Sequence, residues 1–192
     1  MKKTAKQVLS VVIALAIVVT ALFGTVSHIA KASAVNLLKN SGFEDFSGTE
    51  FTDWYLWKGN HGNTDLAQVA GKTDNAAKIS VNDNSSIVNM SQAITFGAEE
   101  KYTLSVWVKI ENIVRQWETA PGVYLTLRND NAMVAQSSAV NTNTDWVKLE
   151  LTVNTADLTA GAKTLDLTIE YVKGDIYLDS ASFKVATTTP EP

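Results

Sequence analysis

Two-residue alternation of apolar and polar side chains runs through most of this chain, and no other feature constrains its fold as tightly. In KYTLSVWVK, Tyr102, Leu104, Val106 and Val108 point one way while Thr103, Ser105, Trp107 and Lys109 point the other. That is the period of a strand with one face buried. GVYLTLRND sets Val123, Leu125 and Leu127 against Tyr124, Thr126 and Arg128. DWVKLELTV sets Val147, Leu149, Leu151 and Val153 against Trp146, Lys148, Glu150 and Thr152, and TLDLTIEYV sets Leu165, Leu167, Ile169 and Tyr171 against Asp166, Thr168 and Glu170. AAKISV, SSIVNMSQAITF and DIYLDSASFKV are shorter strand candidates, and VNDNSS, RNDN and KGD supply turns between runs. Many short, half-buried strands at this spacing predict an all-β fold, a two-sheet antiparallel β-sandwich.

Residues 1–34 stand outside that pattern. Lys2, Lys3 and Lys6 precede a charge-free apolar run from Val8 to Val26, and Ala32-Ser33-Ala34 closes it. This is the layout of a secretory signal peptide. The run is also long enough to cross a bilayer, so an uncleaved anchor is the alternative reading. The leader predicts a secreted or cell-surface protein, and its length and paired lysines suit a Gram-positive bacterium. Four of the 16 Lys and Arg lie in the leader and none of the 20 acids do, which leaves 12 against 20 and a net charge of −8 beyond it. Such a balance excludes nucleic acid and anionic membrane as partners of the exported part. The 158 residues after the leader suit one domain, expected as a monomer. With no cysteine, that domain relies on its core or on a bound metal. At the far end ATTTPEP loses all periodicity, so the boundaries read as leader 1–34, module 35–186 and the start of a Thr/Pro linker or tail at 187–192.

Catalytic patterns are missing. His61 is the only histidine after the leader, and no G-x-S-x-G, H-E-x-x-H, zinc, phosphate-loop or EF-hand spacing occurs. Glycoside hydrolysis needs two carboxylates facing one cleft. Glu118, Glu150 and Glu170 are scattered acids, and in an acidic chain scattered acids are solvated surface. The aromatic residues carry more information. Tyr102 and Tyr171 are in phase with aliphatics and read as core, whereas Trp107 and Tyr124 are out of phase and project from the outer face of a sheet. Arg128 and Glu170 share that outward phase. Trp57, beside Lys58 and Gly59, reads as an exposed aromatic, Trp117 as a loop residue, and Trp146 as a packing lid. Exposed aromatic planes among hydrogen-bonding side chains suit sugars, whose C–H faces pack on rings and whose hydroxyls need polar partners. The plainer alternative covers Trp107 and Tyr124 with loops.

NLLKNSGFEDFSG, SQAITFGAEEKYTLSVWVK, TDWVKLELTV and DIYLDSASF together resemble carbohydrate-binding modules of the CenC type, families 4, 9, 16 and 22, across Val35 to Val185. The resemblance implies a galactose-binding-like jelly roll. It also implies a structural Ca²⁺ held by Glu44 and Asp179, with backbone carbonyls near Gly42 and Lys78 as further ligands, in keeping with calcium's preference for mixed oxygen donors. It places polysaccharide on the concave sheet, for which strand phase offers Trp57, Gln92, Trp107, Tyr124, Arg128 and Glu170. The function implied is non-catalytic binding of a β-linked glycan such as xylan, glucan or mannan, targeting an attached or associated glycoside hydrolase to its substrate. An adhesion domain without a sugar site is the second reading, and a small jelly-roll hydrolase or lyase the third.

Overall fold

The structure is a computed structural model that describes residues 35–59, 63–96, 101–130, 132–154, 156, 158 and 163–186. The expected leader, the Thr/Pro tail and His61 lie outside the described residues. The described residues form ten strands: β1 Tyr55–Trp57, β2 Thr64–Ala70, β3 Asn75–Val81, β4 Ile87–Ile94, β5 Lys101–Arg115, β6 Gly122–Asn129, β7 Ala132–Gln136, β8 Thr144–Asn154, β9 Lys163–Glu170 and β10 Val172–Val185. They form two five-stranded antiparallel sheets. Sheet I has the order β1-β4-β9-β6-β7 and sheet II the order β2-β3-β10-β5-β8. The chain passes repeatedly from one sheet to the other, as in a jelly roll.

The alternation read from the sequence decides which side chains meet between the sheets. Val88, Met90, Val123, Leu125, Leu127, Leu165, Leu167 and Ile169 enter from sheet I, and Ile79, Leu104, Val106, Val108, Ile176, Leu178 and Phe183 from sheet II, all buried. Fully burying each such side chain contributes about 1.5–3 kcal/mol. One end of this core is aromatic, with Phe96, Tyr102 and Phe183 packed ring to ring at 4.9–5.1 Å.

The N-terminal segment lies along the end of β10. Leu37 N–H donates to Phe183 O at 2.9 Å, Phe183 N–H to Asn36 Oδ1 at 2.9 Å, and Ala181 N–H to Ser41 O at 2.7 Å. A turn follows, with Phe43 N–H donating to Asn40 O at 3.1 Å. Phe43 sits at φ +59°, a conformation that costs a bulky residue, and its complete burial against Phe51 and Trp54 offsets that cost. The NSGF turn therefore has two products. It sinks Phe43 into the core, and it sets Glu44 on the surface beside the β2–β3 turn.

Candidate functional site

The two sheets leave two outer faces, and the register decides which of the residues singled out from the sequence share one of them. On sheet I, Trp57 of β1 stands opposite Asn89 of β4, Asn89 opposite Thr168 of β9, and Thr168 opposite Tyr124 of β6. A second row runs Tyr55, Ser91, Asp166, Thr126, Gln136 across all five strands. Glu170 lies one row beyond the first, and Arg128 one row beyond the second. Trp57, Tyr124, Arg128 and Glu170 thus share one face.

That face is sunken. Thr126, Asp166 and Thr168 point away from the core yet keep only 1–2% of their surface, while Tyr55 and Trp57 at the β1 edge are 66% and 41% exposed. Side-chain bonds cover the floor. Thr126 and Thr168 share a hydroxyl hydrogen bond at 2.8 Å, and Arg128 Nε donates to Asp166 Oδ2 at 2.7 Å. The Tyr124 hydroxyl donates to Glu170 Oε2. Burial, followed by this bond to a carboxylate, pushes the Tyr124 phenol far above its usual range, so it remains a donor at any physiological pH. Tyr124 follows the outward phase expected of it but is 8% exposed, part of the floor and not a projecting platform.

Trp57 owes its position to the glycine two residues on. Gly59 has φ +63°, and a Cβ there would lie 2.4 Å from the Ile87 carbonyl oxygen. Only glycine lets the chain leaving β1 press against β4 and hold the strand edge in place. Just beyond β9, Trp117 is 44% exposed and packs at a tilt on Tyr171, with ring centroids 4.6 Å apart. Tyr171, read as core from its phase, adopts φ +55° as the chain turns from β9 into β10; it is half-buried, packed against the edge of the core with its ring also against Trp117.

Two expectations for this site are corrected. Trp107 lies on β5 and faces outward from sheet II, on the opposite side of the molecule, with Lys72 Nζ 4.4 Å from its ring centroid. Strand phase establishes that a residue points outward but not from which sheet. Gln92 shares the inward phase of Met90 and Ile94 and is 7% exposed. Its amide clamps the N-terminal segment, accepting from Lys39 N–H at 2.9 Å and donating to Lys39 O at 3.0 Å, so it is spent on the fold and lies away from the outer face. Tyr55, Asn89, Ser91, Thr126, Asp166 and Thr168 were not singled out as site residues. The outward phase of Asp166 and Thr168 in TLDLTIE was the signal that located them.

The residues expected to hold calcium meet in part. Glu44 and Asp179 both reach the β2–β3 turn. Glu44 Oε1 accepts from Asn75 N–H at 3.1 Å and Oε2 from Asn75 Nδ2 at 2.6 Å, while Asp179 Oδ2 accepts from Thr73 N–H at 2.7 Å. Asp179 is fully buried, and no cationic side chain is paired with it among the described residues. Two carboxylates converging on one turn, one of them buried without a counter-charge, fit a hard cation in donor chemistry. Gly42 lies beside Glu44 in the preceding turn. Lys78 does not fit. It sits within the ladder, opposite Ala67 on one side and Tyr177 on the other, so its backbone polar groups belong to the sheet, and its ammonium pairs with Asp175 at 3.0 Å.

Residues 35–174 match the model of a carbohydrate binding domain, CBM4/9. The chain belongs to that family. No curated protein sequence matches this carbohydrate-binding domain. Among solved structures it is similar to a CBM4 module at 16% identity and TM-score 0.55, covering 77% of this chain and 99% of that one. It is also similar to TmCBM61 in complex with β-1,4-galactotriose, at 20% identity and TM-score 0.53, covering 80% and 100%. The enzymatically active domain of bacteriophage CBA120 tailspike protein 4 matches at 13% identity and TM-score 0.58, over 79% of this chain but only 22% of the tailspike chain. At these identities the likeness is one of fold.

Proposed function

We propose that this domain is a non-catalytic module that binds a neutral β-linked polysaccharide across the outer face of sheet I. The observation that carries this is the first row of that face: an exposed Trp57 at the rim, then the buried polar side chains Asn89 and Thr168, then the Tyr124 hydroxyl. An apolar plane beside buried hydrogen-bonding groups matches the two surfaces of a pyranose ring. From β1 to β6 the row crosses three strand spacings, about 14 Å, long enough for a short stretch of glycan chain. The floor's charges argue for a neutral ligand, since Arg128 already serves Asp166 while Glu170 and Asp166 repel uronates. The same pairing speaks for binding over catalysis, because each carboxylate of the floor is tied to a partner within the face.

The rest of the reading follows from that role. The leader exports the domain, a calcium ion at Glu44 and Asp179 stiffens the β2–β3 turn, and the Thr/Pro tail tethers a glycoside hydrolase whose local substrate concentration rises through the tether. The test is affinity electrophoresis of the chain through gels containing xylan, mixed-linkage β-glucan, glucomannan or β-1,4-galactan, with Trp57→Ala alongside. Retardation by at least one polymer, lost in the variant, is the expected result. Retardation that survives the substitution moves the site elsewhere, and no retardation by any polymer turns the reading to adhesion.

A further inference from the structure

Among the described residues, one buried side-chain polar atom has no hydrogen-bond partner: Oδ1 of Asn89. Asn89 is 9% exposed and lies in the middle of the first row of sheet I, between Trp57 and Thr168. A carbonyl oxygen stripped of water and given nothing in return is a cost that folded proteins rarely leave standing. The neighbours do not relieve it. Trp57 is on the open side, and the Thr168 hydroxyl is engaged with Thr126 at 2.8 Å. Glu170 and Asp166 offer only acceptors, and each already has its donor. Every other fully buried side-chain polar atom among the described residues has at least one partner, which makes the exception informative about position as well as chemistry. An asparagine needs both a donor and an acceptor opposite it, and its amide turns in a broad two-fold torsional well. The missing partner is therefore a group that carries a donor hydrogen and arrives beside Trp57.

We propose that Asn89 reads a hydroxyl of the sugar ring stacked on Trp57, and so determines which glycans the face accepts. This inference rests on the glycan-binding reading and deepens it. A ring packed on Trp57 holds its equatorial substituents edge-on to the strand beside it, where Asn89 waits. A glycan with a free hydroxyl at that point completes the amide's bonds. One with an O-methyl or O-acetyl group there supplies no donor and leaves the acceptor orphaned. Buried polar groups left unpaired discriminate far more sharply than apolar contacts do.

The experiment compares the chain with Asn89→Leu, which keeps the shape and removes both polar atoms, and with Trp57→Ala. Each is measured for affinity to whichever of xylan, mixed-linkage β-glucan, glucomannan or β-1,4-galactan retards the unsubstituted chain, and for melting temperature without glycan. Asn89→Leu is expected to weaken affinity about tenfold or more while its melting temperature is unchanged or higher, because an orphaned acceptor has been removed. A structural asparagine gives the opposite pattern, and a fall of several degrees in melting temperature overturns the proposal. Affinity for Asn89→Leu within twofold, with Trp57→Ala inactive, also overturns it and leaves the glycan-binding reading intact. Binding of no polymer by the unsubstituted chain removes that reading, and this inference with it.

Discussion

The outer faces of the two sheets are built from the same kinds of residue and put them to different use. On sheet II every outward aromatic of the central strands is capped by a cation. Lys72 lies over Trp107, and Lys78 and Lys109 lie 5.5 and 5.0 Å from the Tyr177 ring centroid. The Tyr177 hydroxyl donates to Glu111 at 2.8 Å, Lys109 pairs with Glu111 at 2.7 Å, and Ser80 donates to Asp175 at 2.6 Å. On sheet I, Tyr55 and Trp57 stand with no ring or cation over them among the described residues, beside a floor that contains one unpartnered acceptor. A face that satisfies itself contributes stability, whereas bare rings and an open bond are what the proposed binding face calls for.

That division is most easily broken by exchanging tryptophans. Trp57→Ala should cost about 2 kcal/mol of binding, roughly a thirtyfold loss, as truncation of an aromatic anchor does. Trp107→Ala should leave retardation in polysaccharide gels unchanged, and a reversal of the two outcomes would move the site to sheet II. The next effect concerns stability. Asp179→Ala strips Thr73 N–H of its buried acceptor and should cost about 1–3 kcal/mol in denaturant unfolding. Added Ca²⁺ should raise the melting temperature of the unsubstituted chain and not that of this variant. A smaller loss is expected of Tyr124→Phe, which leaves Glu170 without its donor: about 1 kcal/mol in stability, with affinity falling several-fold because the floor loosens.

The smallest effect lies in acid. The Lys109 and then the Tyr177 hydrogen bonds hold the Glu111 carboxyl below its ordinary 4.5. Burial alone would raise Asp175, but hydrogen bonds from Ser80 and Lys78 hold it below its ordinary 3.8. Both folded values are depressed, so the stability they contribute is present above about pH 4.5 and disappears as pH falls through the folded values. Asp175→Asn should flatten that acid slope in thermal unfolding curves. Substitutions on sheet I should leave it unchanged.

Alternation alone was enough to find the central strands β3 to β6, β9 and β10, and also the long edge strand β8, because a strand with one buried face prints its period on the sequence when it runs long enough. β2 and β7 were not read as strands, and β1 was left unassigned, for a shared reason. Each is a sheet edge, and β1 and β7 are also short, with Ala132, Met133 and Val134 in succession exposed. Half-solvated edges need no strict pattern. For the site, phase told outward from inward at Tyr124, Arg128 and Glu170, while Trp57 read as exposed from its neighbours Lys58 and Gly59. It could not place Trp107, because two strands of identical period belong to different sheets. Gln92 shows the opposite failure, since its inward phase was legible and its partner, the backbone of Lys39 some 53 residues away, was not. Asn89 alternates with Val88 and Met90 in SSIVNMSQAITF, but its open bond exists only once Trp57 and Thr168 flank it.

The pairing of the N-terminal segment with β10 bears on how the domain carries mechanical load. Residues 35 and 185 lie at the same end of that antiparallel contact, so a pull applied through chain attached at both points enters and leaves at one spot. Such a pull peels and does not shear. The first bonds it meets are those of Asn36 and Leu37 to Phe183 and Ala181, and they open one at a time. Sheet I with Trp57 is off that path, so a module gripping a polysaccharide would keep its grip while its own ends begin to unzip.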